Sequence, residues 1–167
     1  MKRGFAIAAI ILATLSLATG CRPRLPTRPA AAYAQGFGDD VPESIWNAVR
    51  DAPEGALVGI GVARMENIAL ARTIAETRAR DDISRQLHEL TESILADYAT
   101  AAGTDPAAAI ALQEGAAVTV RQSTLRGATI IDEARVDGEH WVVVALSREN
   151  AAVEIATAVE SAWLAFD

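Results

Sequence analysis

Residues 127–146, Gly-Ala-Thr-Ile-Ile-Asp-Glu-Ala-Arg-Val-Asp-Gly-Glu-His-Trp-Val-Val-Val-Ala-Leu, decide the fold class. Gly127 to Val136 has the alternating, β-branched look of a strand, and His140 to Leu146 is a nearly continuous apolar one. Asp137-Gly138 between them is the two-residue hairpin signal, since both residues tolerate the positive φ that matches the twist of paired strands. Ser147 then caps a final helix that carries Val153, Ile155, Ala156, Val159, Trp163 and Phe166.

Upstream, Leu57 to Ala63 is a short apolar run bounded by Gly55 and Arg64, which suits a buried strand. Ahead of it Ile45, Trp46 and Val49 form a short amphipathic turn with Trp46 packed on the core. From Asn67 the period changes to about 3.6: Ile68, Ala71, Ala75, Ala79, Ile83, Leu87, Leu90, Ile94, Tyr98 and Ala101 make one apolar stripe on a long helix. Its outer face carries the acid-first pairs Glu76/Arg80 and Asp81/Arg85. Gly103 ends it, and Thr104-Asp105-Pro106 opens a second helix to about Leu125. Gly115 and Val118-Thr119-Val120 weaken that helix and leave a strand over residues 116–124 as the alternative. The order β-α-α-β-β-α predicts an α+β domain, a small, mainly antiparallel sheet packed against the long helix and a C-terminal helix.

The chain has 167 residues, 51% of them apolar, one cysteine and a formal charge of −7. That is room for one domain and a tail. One cysteine excludes an internal disulfide framework, and the acidic balance argues against nucleic acid as a partner. Much of the apolar excess lies at the N-terminus. Lys2 and Arg3 precede an uncharged run from Phe5 to Ala18, then Leu17-Ala18-Thr19-Gly20-Cys21. Fourteen residues span about 21 Å, short of the ~30 Å hydrocarbon core, so the run is a signal-peptide core. Its end resembles a bacterial lipobox, with Ala18 where the pattern usually has Leu, and the lone cysteine falls where lipidation requires it. Residues 1–20 are thus expected to be a lipoprotein signal peptide and Cys21 the lipidated residue, carrying the two or three acyl chains that stable anchoring needs. Arg22 at the second mature position favours the outer membrane.

Removing Lys2 and Arg3 with the leader leaves thirteen arginines against 22 carboxylates, a charge of −9. Residues 21–41 carry Pro23, Pro26, Pro29, an alanine run, Gly36 and Gly38, the composition of a tether reaching roughly 60 Å when extended. Arg22, Arg24 and Arg28 stand where they meet anionic head groups or simply water. Residues 42–167 form the single domain.

No cofactor is expected, and the inventory argues against an enzyme. His88 and His140 are the only histidines, and no Gly-x-Ser-x-Gly elbow accompanies them. His88 and Glu92 share a helix face at i,i+4, two metal ligands where at least three are needed. Asp81 and Asp82 diverge by about 100° on a helix and read as solvated charge, as do Asp39 and Asp40. Gly59-Ile60-Gly61 before a helix invites a phosphate-loop reading, but Arg64 stands in place of the third glycine and no Gly-Lys-Ser/Thr follows. Glycines that let the helix lie close on the strand are the better account.

One pattern runs through the domain: Pro42 and Trp46, Gly59-Ile-Gly61-Val-Ala, then Ala71, Ala75 and Arg78-Ala-Arg-Asp-Asp-Ile83 on the long helix. Leu125-Arg-Gly127-Ala-Thr-Ile-Ile follows, and then Trp141-Val-Val-Val-Ala-Leu146. This resembles the twenty-kilodalton surface lipoprotein family (LPP-twenty) and, more distantly, the N-terminal domain of the flagellar T-ring assembly protein. The resemblance covers about residues 42–148. It implies an envelope lipoprotein of undefined biochemical role with no catalytic residues to carry over; separately, the domain is expected to face the periplasm or the surface and to contact another envelope component. An accessory role in a flagellar or secretion apparatus, or binding of a small ligand between helix and sheet, are the alternatives.

Overall fold

The computed structural model describes residues 41–102, 105–122 and 125–164, so Cys21 and the tether lie outside the described residues. The elements in chain order are α1 Glu43–Asp51, β1 Leu57–Arg64, α2 Ile68–Ala102, α3 Pro106–Gln122, β2 Thr129–Val136, β3 Glu139–Leu146 and α4 Arg148–Leu164. The fold is α+β, as expected, with an all-antiparallel three-stranded sheet in the order β1-β3-β2.

Three of the four helix starts follow side-chain capping chemistry, while α1 begins after Pro42. The Leu70 N–H donates to the Asn67 side chain at 3.1 Å, Ala108 N–H to Asp105 at 3.2 Å and Asn150 N–H to the Ser147 hydroxyl at 3.2 Å. Each cap satisfies an amide that the first helical turn would leave unpaired. The hairpin turn is the expected one, with Asp137 at φ 50° and Gly138 at φ 81°.

The central strand β3 is buried on both faces, and each face has its own core. Val142, Val144 and Leu146 look toward α2, α3 and α4, together with Leu57, Ala75, Ala79, Ile83 and Leu87. Trp141 and Val143 look the other way, packing with Val58, Ile60 and Ile45 beneath α1. The predicted short turn around Ile45 is therefore a helix that roofs the second face, and Trp46 is only partly buried against it. A bulge between Ile130 and Asp132 breaks the alternation expected along β2. It switches the parity of the strand, so that Ile130 joins the α2 core and Ala134 the α1 core.

The glycines of β1 set how closely α2 approaches. A Cβ on Gly59 would stand 2.0 Å from the Ala79 carbonyl oxygen, and one on Gly61 would stand 1.9 Å from that of Ala75. The expected close packing of helix on strand is observed, and the seam has no room for anything else. The helix also shields the outer edge of β1. Gln86 Nε2 donates to the Val58 carbonyl at 2.7 Å, and Arg78 Nη1 donates to the Val62 carbonyl. Eight helical residues rise ~12 Å and four strand residues ~13 Å, so the two rows stay in step as the elements run antiparallel.

Several expectations need correction. Asp82 is buried at 7% exposure, where it accepts from Gln86 Nε2 at 3.3 Å and pairs with Arg85; only Asp81 is exposed. Arg85 thus pairs with Asp82 rather than Asp81, while the Glu76–Arg80 pair forms at 3.0 Å. The apolar stripe of α2 holds from Ala71 to Leu90, but Ile68 and Ile94 are exposed and Leu95 is buried instead. Ile68 is the helix's first residue, beyond the end of the sheet, and past Leu90 the core is supplied by α3 and α4, which approach from a different side. Residues 116–122 are helical, with Val118 exposed, so the strand alternative fails. Gly115 sits where α3 crosses α4, its missing Cβ only 3.2 Å from that of Ala162. On α4 Val153 is exposed, while Ala151, Ile155, Ala158, Val159 and Ala162 form the buried stripe. The side chains of Tyr98, Ala101 and Phe166 lie outside the described residues.

Candidate functional site

Arg72 on α2, Glu133 on β2 and His140 on β3 form a cluster that joins ionisable groups from three elements. The Arg72 Nε–H donates to Glu133 Oε2 at 2.7 Å, and His140 Nε2 stands 3.8 Å from the same oxygen. Sheet register explains the meeting. Arg135 lies directly opposite His140, and Glu133, two residues on, is its diagonal neighbour on the α2 face. The Arg72 hydrogen bond holds the Glu133 carboxyl below the ordinary glutamate range, and Glu133 in turn raises the guanidinium. His140 is 9% exposed, and neither ring nitrogen has a hydrogen-bond partner.

A carboxylate already held by a guanidinium is a weak base, so this group acts as a staple joining α2, β2 and β3 rather than as acid–base machinery. The residue types were visible in the sequence, but their meeting was not. The offset from Glu133 to His140 about the Asp137-Gly138 turn was the one local signal.

His88 and Glu92 do share a helix face, at 3.6 Å. Among the described residues no group of three His, Cys, Asp or Glu side chains is placed to hold a metal. A groove of about 450 Å³ runs between α1 and the bulged part of β2, bordered by Ser44, Asn47, Asp51, Ile131 and Asp132.

Besides Ile131 on β2 and Val153 and Leu164 on α4, the exposed large apolar side chains fall into two groups. At the start of α2 and the hairpin tip they are Met65, Ile68, Leu70 and Val136; along the outer parts of α2 and α3 they are Ile94, Ile110 and Val118. Among the described residues no helix is long and apolar enough to cross a membrane. Compared with known proteins, the chain matches no family model, no curated protein and no solved structure.

Proposed function

We propose that this chain is a non-catalytic bacterial envelope lipoprotein, anchored through Cys21, whose domain contacts another envelope component. The observation that carries the reading is the position of the only cysteine, directly after an uncharged leader core and the small residues Thr19 and Gly20. The tightly closed α2–β1 seam and the stapled carboxylate support a role in binding rather than chemistry. The resemblance to the twenty-kilodalton surface lipoproteins points the same way. The protein-contacting surface is assigned to Ile94, Ile110 and Val118, an exposed apolar group at the end of the domain remote from the hairpin tip.

Two measurements test this. Mass spectrometry of protein extracted from membranes should find Cys21 as the N-terminal residue carrying acyl chains. An N-terminus elsewhere with unmodified Cys21 would refute the anchor. Photo-cross-linkers at Ile110 and Val118 in intact cells should capture a defined envelope protein, while one at Val153 should not.

A further inference from the structure

The β1–α2 turn and the hairpin tip lie side by side at one end of the sheet, because Arg64 pairs with Glu139, which in turn pairs with Val136. Met65 is 40% exposed there, Ile68 47%, Leu70 46% and Val136 41%. Four of the large apolar side chains left in solvent are thus confined to the residues flanking one end. Arg64, Arg72 and Arg135 are interleaved with them.

Charge is segregated along the same axis. The domain from residue 41 carries ten arginines against twenty carboxylates. Residues 64–85 and the hairpin residues 129–140 together hold six arginines and eight carboxylates, while residues 86–120 hold five carboxylates and no Lys or Arg at all. At 35 residues α2 is ~52 Å long, so its two halves put these regions well apart. Near an anionic surface a domain so charged turns its more acidic end outward and its less acidic, arginine-bearing end inward.

We propose that the Met65/Ile68/Leu70/Val136 end is a lipid-docking face, which rests on the anchored reading above. The twenty residues from Arg22 to Val41 reach roughly 60 Å at most, so an anchored domain meets the bilayer at high effective concentration. A few apolar side chains seated at the boundary of head groups and acyl chains, ~5–10 Å deep, then suffice to hold the orientation. Arg64 and Arg72 flank this end, paired with Glu139 at 3.5 Å and with Glu133 at 2.7 Å. The docked state leaves Ile94, Ile110 and Val118 facing away from the membrane, toward a partner.

Acylation consumes Cys21, so a second cysteine becomes the only free thiol. Met65→Cys, Ile68→Cys, Ile110→Cys and Val118→Cys chains, labelled with an environment-sensitive fluorophore, are reconstituted in vesicles of phosphatidylethanolamine and phosphatidylglycerol with nitroxide-bearing lipid. Labels at residues 65 and 68 should shift to the blue and be quenched, while those at 110 and 118 should not. Adding Leu70→Glu and Val136→Glu should abolish the shift with the protein still vesicle-bound. Equal signals at both ends, or quenching only at 110 and 118, would overturn the proposal. So would the same blue shift at residue 65 in detergent without vesicles, which would mean contact between copies of the chain. Failure of the anchor is seen separately, as unacylated Cys21 in mass spectra of the same sample.

Discussion

Gly61→Ala tests the α2–β1 seam most directly. The added methyl carbon would lie 1.9 Å from the Ala75 carbonyl oxygen and 2.7 Å from the Ala79 amide nitrogen. Both are backbone atoms of a helix, so no rotamer change relieves the contact. Restoring a normal separation means moving helix from strand by more than an ångström, which loosens Ile83 and Leu87 as well. Overpacking a core costs about 1–3 kcal/mol, and the rigid neighbour puts this case at or above the upper figure, ~3 kcal/mol. At about 4 °C per kcal/mol that is a fall of some 12 °C in Tm. Thermal unfolding of the detergent-solubilised chain, followed by circular dichroism, reads it. Gly138→Ala is the reference: nothing lies within 4 Å of its added carbon, and the positive φ alone costs about 1–2 kcal/mol. If Gly61→Ala lowered Tm no more than Gly138→Ala, the close approach of α2 would not be what the glycine serves.

Leu87→Ala, at a fully buried position, should cost about 2–5 kcal/mol, whereas Val153→Ala on the exposed face of α4 should stay within about 0.5 kcal/mol; denaturant titration distinguishes them. Gln86→Leu leaves the Val58 carbonyl without its 2.7 Å donor and should cost about 1–3 kcal/mol in the same assay. For Glu133 the folded-state carboxyl is held below its unfolded value, so its contribution is present above the ordinary glutamate range and is lost as pH falls through the lowered value. Glu133→Gln should therefore flatten the acid limb of Tm against pH while changing little at neutral pH, and an unchanged acid limb would remove Glu133 from that role.

The parts of the fold written in local chemistry were legible: Asp137-Gly138 for the hairpin, Asn67, Asp105 and Ser147 for the helix starts, and Gly59 and Gly61 for close packing. What escaped depends on neighbours distant in sequence. Asp82 looked solvated because Asp81 precedes it and arginines surround it. Only the edge position of β1 brings that helix face over the outer margin of the strand, with Gln86 beside Asp82. Ile68 and Ile94 keep the helical period, yet periodicity carries no record of where the opposing surface stops. The Arg72–Glu133–His140 staple needed a register and a crossing helix, 61 residues apart in the chain. Cys21 is the reverse case, a site argued from position alone.

The two outer strands of the sheet are closed off by different means. The carbonyls of β1 are occupied by Arg78 and Gln86, while β2 is kinked at Ile131 and its Glu133 amide donates to the Asp132 carboxylate at 2.9 Å. Proteins planted on a common surface collide far more often than the same number free in solution, and open strand edges invite them to zip into fibres. A sheet whose two margins are interrupted in this way is a poor template for strand addition, so that its lateral associations are left to side-chain surfaces, where partners can be chosen.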